Sequence, residues 1–295
     1  MPRASEGGCT LAMLQMPRLL TIAIDGPAAA GKSTASKRLA KRLNLALVDT
    51  GALYRCVALA AQQQGVGWDS THEQELGDIA GTLNVRFEFD GEVNKVYLND
   101  EDVSSTIRTA EASDGASKIA TLPAVRASLL ELQRSLANRP PGAVLEGRDI
   151  GTVVLPDAAL KFFLVASIEK RVQRRYDELK AAGRDPDWDE LLKAETERDK
   201  RDSERATAPL KQADDAILID SSSLTADEVI TTMLAEVRKS QKALARSMSA
   251  NLTKELQASA DDAAHAPGAA QQGGDGKPRD CAGGSGNILD ALQYV

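Results

Sequence analysis

Gly26, Pro27, Ala28, Ala29, Ala30, Gly31, Lys32 and Ser33 follow one another in the spacing G-x-x-x-x-G-K-S. An apolar run from Leu19 to Ile24 precedes them, and a helix-compatible run from Thr34 to Leu43 follows. Strand, glycine loop and helix in this order make a phosphate-binding loop. Glycine at 26 and 31 permits backbone angles that a Cβ forbids. The N–H groups of the loop then converge on phosphate oxygens at a helix N-terminus, where the dipole favours negative charge. In that arrangement Lys32 reaches the β- and γ-phosphates of a nucleoside triphosphate, and the Ser33 hydroxyl binds Mg²⁺. Which acidic residue joins Ser33 at the ion is open, with Asp49 as the candidate.

Arginines recur at helical spacing further along. Arg171, Arg174 and Arg175 fall on one helix face, as do Arg198, Arg201, Asp202 and Arg205. Interleaved acids would suit a solvated, ion-paired helix, but arginine outweighs lysine on both faces. Its planar fork suits bidentate contact with phosphate. Gly183 and Pro186 bracket a turn between the two stretches, which is expected to act as a mobile lid over about 168–190. Only two histidines occur, His72 and His265, neither near the loop, and both read as surface residues. An alcohol acceptor would need a base, for which Asp49 or Asp149 stays open. A phosphate acceptor has a second pKa of about 6 and is already anionic near pH 7. It needs only positioning and charge neutralisation. A phosphate loop, many arginines and no obvious base therefore favour transfer to a nucleotide or another phosphate.

The elements that must hold these groups follow from hydrophobic patterning. Strands are expected at 19–25, 45–48, 143–145, 160–165 and 216–219, and helices at 32–43, 51–64, 109–138 (interrupted at Pro123) and 225–239. Their β-α-β-α order predicts a five-stranded parallel sheet flanked by helices, an α/β fold. Residues 84–99 differ. Val85, Phe87 and Phe89 alternate with polar residues, Asp90-Gly91 makes a turn, and Val93, Val96 and Leu98 follow. That is an antiparallel hairpin, read as part of an insert over about 66–108. The chemical groups at 49–55 and 147–149 sit beyond strand C-termini, where open α/β sheets place their sites.

The chain has 295 residues, 42% hydrophobic and only 3% aromatic, so its core rests on Leu, Val, Ile and Ala. With 36 basic against 43 acidic residues, the net charge of -7 argues against binding nucleic acid or membrane surfaces. Cys9, Cys56 and Cys281 are scattered, which suggests neither zinc site nor disulfide framework and fits a reducing cytoplasm. No apolar stretch reaches the roughly 20 residues that span a bilayer. Residues 1–17 read as a dispensable leader and 240–295 as a low-complexity tail, disordered over 250–290. Within that tail, 238–258 is a possible extension of the last helix and 288–292 a short docking helix.

Four motifs in order resemble bacterial cytidylate kinases. They are Ile24-Asp25-Gly26-Pro27 with Gly31-Lys32-Ser33-Thr34; Asp49-Thr50-Gly51-Ala52-Leu53-Tyr54-Arg55; Glu146-Gly147-Arg148-Asp149 through Val154; and Glu197-Arg198-Asp199 through Arg205, ending at Ala208-Pro209-Leu210. The resemblance covers about 18–239. It implies the P-loop nucleoside-monophosphate kinase fold, with an enlarged monophosphate-binding subdomain and a helical lid. It implies a cytoplasmic monomer that transfers the ATP γ-phosphate to CMP or dCMP with Mg²⁺. Residues 26–34, Thr34 included, would hold ATP. Thr50, Tyr54, Arg55, Ser117, Arg126, Arg148, Asp149, Arg198, Asp202 and Arg205 would hold the acceptor, with Asp149 suited to a sugar hydroxyl. Lys32, Arg148, Arg171, Arg174, Arg175 and Arg201 would supply positive charge to the transferring phosphoryl group. Glu146 stands where aspartate is also seen, and the tail has no counterpart.

Two other readings compete with it. A P-loop kinase acting on a metabolite alcohol would use the same loop. A nucleotide-dependent switch would use it too, but the chain has no NKxD guanine signature and the arginines at 148 and 171–205 would lack a purpose.

Overall fold

Short apolar runs broken by glycine and polar residues give this chain its order of elements. The structure, a computed structural model, describes residues 19–264. The elements are β1 (Leu20–Asp25), α1 (Lys32–Leu43), β2 (Ala46–Asp49), α2 (Thr50–Gln63), α3 (Glu73–Thr82), β3 (Val85–Phe89), β4 (Asn94–Leu98) and β5 (Glu101–Asp102). There follow α4 (Ala110–Ile119), α5 (Pro123–Ala137), β6 (Gly142–Gly147), β7 (Leu160–Val165), α6 (Ile168–Ala181), α7 (Trp188–Glu204), β8 (Ile217–Asp220) and α8 (Ala226–Ala264).

Five strands form the expected parallel sheet, in the order β2-β6-β1-β7-β8. All six residues of β6 are buried, as a parallel strand covered on both faces requires. Alternation sorts the side chains. Ile22, Ile24, Val144, Phe162 and Leu164 pack with Leu39 of α1 and Val229, Met233 and Val237 of α8. Ala23, Ala143, Leu145 and Val48 face Leu53, Val57, Leu76, Val125 and Leu129 from α2, α3 and α5. Each fully buried Leu or Ile contributes about 1.5–3 kcal/mol of transfer free energy. Cys56 is buried in the second group, its thiol pushed up to about 12 by burial, an inert core residue as its setting predicts.

The hairpin at 84–99 forms as expected and gains a third strand, giving the antiparallel order β3-β4-β5. Pro123 does not merely interrupt a helix. It occupies the first turn of α5, where its missing N–H costs nothing.

By internal contacts the chain divides into Met1–Ala243 and Leu244–Val295. The described part of the second unit, 244–264, belongs to α8. Residues 250–264 are helical, in a stretch for which the sequence offered both disorder from 250 and an extension of the last helix over 238–258. Alanine, glutamine, lysine and glutamate favour helix there, and the first proline and glycine come only at 267 and 268. The leader at 1–17, the rest of the tail and the helix at 288–292 lie outside the described residues.

Candidate active site

β1 and β6 are neighbours, and their C-terminal residues Asp25 and Gly147 are in register. From β1 the chain crosses to β2 on one side, and from β6 it crosses to β7 on the other. The crevice that opens between strands leaving in opposite directions is where such sheets bind ligands. The loop at 26–33 and the segment 147–149 meet there. A Cβ on Gly26 would lie 2.0 Å from the Leu164 carbonyl oxygen, and its φ is +146°, so only glycine fits. Gly31, at φ +94°, caps α1.

These elements wall a cleft of about 1330 Å³. Its lining includes Ala28 to Thr34, Asp49, Thr50, Tyr54, Arg55, Ser117, Arg126 and Glu146 to Asp149. Arg174 and Arg175 of α6, Arg198, Arg201 and Asp202 of α7, and Arg205 complete it. Two predicted residues, Gly26 and Pro27, stand behind the wall. Arg171 stands behind it as well: it is 4% exposed, and its guanidinium joins Asp199 and the carbonyl oxygens of Ala28 and Ala166. His72 binds Asp69 in an exposed turn away from the cleft, and His265 lies outside the described residues.

The residues expected to hold the acceptor interlock. Both oxygens of Asp149 are taken, one by Arg126 and the other by Arg205 Nη2 at 3.2 Å. Arg148 Nε donates to Asp202 Oδ2 at 2.7 Å. Thr50 Oγ1 donates to the Glu146 carbonyl at 2.7 Å, close against Gly147, where a Cβ would meet that hydroxyl at 2.7 Å. Arg201 pairs at 3.6 Å with Asp114 of α4, and Arg175 pairs with Glu178 at 3.0 Å. Of seven buried side-chain polar atoms without a partner among the described residues, five line the cleft, on Arg55, Ser117, Glu195, Arg198 and Arg201. Buried polar atoms are nearly always bonded, so their concentration here marks a place built to meet a polar ligand.

Electrostatics agree. Burial, and then the charge of Arg148, push the Lys32 ammonium well below its usual range. The same two causes lower Arg198 to about 10. Crowded, desolvated cations repel one another until an anion arrives. Glu146 is pushed up by burial and by Asp49. Ser33 Oγ donates to Glu146 Oε2 at 2.9 Å. Asp49 is otherwise engaged, with one oxygen capping α2 through Ala52 N–H at 3.1 Å and the other paired with Arg55 at 2.6 Å. The sequence reading names Glu146 in a motif but gives it no role in the site. The signal was available: a carboxylate ending a fully apolar strand beside the phosphate loop.

The cytidylate kinase family model matches residues 22–239. The chain belongs to the cytidylate kinase family. Similar curated relatives are the cytidylate kinase of Aeromonas salmonicida, 50% identical over 76% of this chain and 95% of that protein, and that of Syntrophotalea carbinolica, 48% identical over 77% and 95%. The cytidylate kinase of Pseudomonas paraeruginosa is 50% identical over 72% of this chain and 93% of its own length. The matched span holds every residue of the cleft and ends inside α8.

One buried carboxylate in this cytidylate kinase family site supports an independent test. Asp25 is 4% exposed and accepts from the N–H groups of Ile150 at 2.8 Å and Gly151 at 2.7 Å. They open a π-helical turn, Ile150–Val154, in which Leu155 N–H returns to Ile150 O at 2.7 Å. Burial, only partly opposed by those N–H groups, raises Asp25 from 3.8 to about 6. The folded state therefore holds this proton more tightly, and the Asp25 contribution to stability falls as pH rises between 3.8 and 6. Relative to Asp25→Asn, the wild type should lose about 3 kcal/mol between pH 3.5 and 7. Denaturant unfolding of both proteins across that range measures it, and a pH-independent difference would contradict it.

Proposed function

We propose that this chain transfers the γ-phosphate of ATP to CMP or dCMP, giving ADP and CDP or dCDP. The observation that carries this is the shared cleft: the phosphate loop with Lys32 on one wall, and Arg148, Arg198, Asp202 and Arg205 on the other. The family and the names of the relatives support cytidylate as the acceptor.

The loop N–H groups and Lys32 bind the donor phosphates at the N-terminus of α1. Arg126 and Arg205, fixed by Asp149, and Arg148, fixed by Asp202, hold the acceptor phosphate and sugar. The free Ser117 hydroxyl is available to the base. Burial raises the Tyr54 phenol, so it stays a neutral donor at pH 7. Asp149 and Asp49 each have both oxygens held by N–H donors, so both serve to orient arginines and a helix end. No base is needed. An acceptor phosphate oxygen bonds to the γ-phosphorus as the bond to the departing ADP oxygen breaks, in line. Arg174, Arg175 and Arg201 add positive charge from the lid side of the cleft.

The residues fit Mg²⁺. Ser33 and Glu146 present a hydroxyl and a carboxylate side by side at the loop. No group of three or more His, Cys, Asp or Glu able to hold a metal occurs among the described residues. That suits an ion held by one carboxylate and the substrate phosphates. When bound, the ion neutralises β- and γ-phosphate charge. Ser33 and Glu146, rather than Asp49, are our assignment for its protein ligands.

No helix among the described residues is long and apolar enough to cross a membrane. Ending the chain at residue 243 keeps the packed residues of α8 through Val237. Its kcat and KM should stay within about twofold of wild type, because every residue that lines the cleft is retained. A folded truncation product without turnover would contradict this. The function itself is tested by an acceptor panel with ATP. CDP and dCDP should form with matching ADP. Turnover of sugars or other alcohols in place of CMP, or ATP hydrolysis indifferent to acceptor, would favour the two competing readings.

A further inference from the structure

A phosphate loop has two polar sides. Its N–H groups serve the ligand, so its carbonyls must find donors elsewhere. Here every carbonyl from Pro27 to Gly31 has one. Lys32 Nζ donates to Pro27 O at 2.6 Å, and Ala35 N–H donates to Gly31 O at 3.0 Å within the first turn of α1. The middle three are bonded from outside the loop. Arg171 Nη1 donates to Ala28 O at 3.3 Å and Arg174 Nη1 to Ala29 O at 3.3 Å, while the single proton of Ser221 Oγ faces Ala30 O at 3.0 Å and Val165 O at 3.1 Å, the Ala30 carbonyl being the nearer.

The donors are themselves fixed. Arg171 also donates through Nε to Ala166 O at 3.1 Å, and both its Nη atoms reach Asp199 of α7. Ser221, directly after β8, is 2% exposed, and its N–H donates to Val165 O at 2.8 Å. Arg174 Nη2 donates to Ser221 O at 2.7 Å. A peptide group is planar and trans, so fixing the carbonyl of one residue points the next residue's N–H the opposite way. Pinning the carbonyls of 28 and 30 from α6 and β8 turns the N–H groups of Ala29 and Gly31 away from those elements. Both residues line the cleft.

We propose that Arg171 and Ser221 are positioning residues of the donor site: they clamp the loop carbonyls so that its N–H groups are preset for the ATP phosphates, and they touch no reacting atom. This rests on the donor-site reading above. It replaces the expectation that Arg171 is a cation at the transferring phosphoryl group. Through Asp199 the clamp also ties the loop to the helix that carries Arg198 and Asp202.

Arg171→Lys keeps the charge but cannot span Asp199 and Ala28 O together. Ser221→Ala removes one hydroxyl. The test measures kcat, the KM of each nucleotide, and ATP binding alone by calorimetry. Losing a neutral hydrogen bond should weaken ATP by about 2–10-fold in Ser221→Ala, and losing a charged one by about 10–100-fold in Arg171→Lys. The KM for CMP, and kcat at saturating ATP, should stay within about threefold of wild type. Should Arg171→Lys fail to fold, Asp199→Asn, which weakens the same clamp from its far end, should show the same split. A fall in kcat of about 10²-fold with ATP affinity unchanged would make Arg171 a catalytic cation and overturn the proposal. Unchanged ATP affinity in both variants, or equal weakening of ATP and CMP, would overturn it as well. Calorimetry with ATP alone reads the clamp independently of turnover, so failure of the wild type to phosphorylate CMP would count against the functional reading and not against this one.

Discussion

Lys32→Ala lowers kcat by about 10³-fold or more and leaves the folded state intact. Removing one preorganised donor to a transition-state oxygen costs about 2.7–4 kcal/mol, and a full positive charge on a transferring phosphoryl group lies at or above the top of that range. Lys32 is buried, close to Arg148, and its ammonium is destabilised by burial and by that neighbour. Such a group is costly to the apo fold, with Glu146, Asp202 and the Pro27 carbonyl only partly offsetting that cost, and an arriving polyanion stabilises it further. Its removal relieves that repulsion and forfeits one bond to Pro27 O, a net loss of about 1 kcal/mol. Thermal unfolding should therefore move by only a few degrees. Near-wild-type turnover of a folded Lys32→Ala protein would contradict the loop assignment.

Arg148→Ala is expected to lower kcat/KM for CMP by about 10²–10³-fold, equivalent to about 2.7–4 kcal/mol of transition-state stabilisation. Its guanidinium has a second task, the bond to Asp202, so the fork is oriented before substrate arrives. Arg198 and Arg205 remain beside Asp202 in the variant, which lets the fold survive. Arg148→Lys should recover little, because a single ammonium cannot hold Asp202 and reach phosphate in the same geometry. Steady-state kinetics on the three proteins decide it. A tenfold or smaller loss in Arg148→Ala would place the acceptor phosphate elsewhere.

The parts of this molecule that its sequence announces are those governed by local pattern. Alternating Val85, Phe87 and Phe89 with Asp90-Gly91 specify a hairpin wherever they occur. The apolar runs at 20–25 and 142–147 specify buried parallel strands, and their ends bring the phosphate loop to Arg148. Helix α3 escaped notice because Gly77 and Gly81 weaken a ten-residue pattern. The structure gives Gly77 its reason: a Cβ there would come within 3.0 Å of the Ala124 Cβ on α5. Strand β5, two residues long, has no pattern to read.

Within the site, spacing placed Arg171, Arg174 and Arg175 on one face but could not separate them. Which guanidinium meets ligand depends on the depth of α6 against the loop, a tertiary property. Arg171 ends behind the wall on a loop carbonyl, Arg174 bonds a loop carbonyl and also lines the cleft, and Arg175 lines the cleft. Asp49 and Glu146 are likewise in register on adjacent strands, and the sequence reading named only Asp49 for the ion. Only the bonds made by Arg55 to one and by Ser33 to the other tell them apart.

The central claim is that one cleft holds two polyanions end to end and cancels their repulsion. Titration calorimetry with a bisubstrate compound, adenosine and cytidine joined through a single polyphosphate chain, tests this most directly. The account predicts one compound bound per chain, about 10²-fold or more tighter than ATP alone, with ATP and CMP each excluded from the saturated protein. Binding no tighter than ATP, or CMP still able to bind beside the saturating compound, would contradict it.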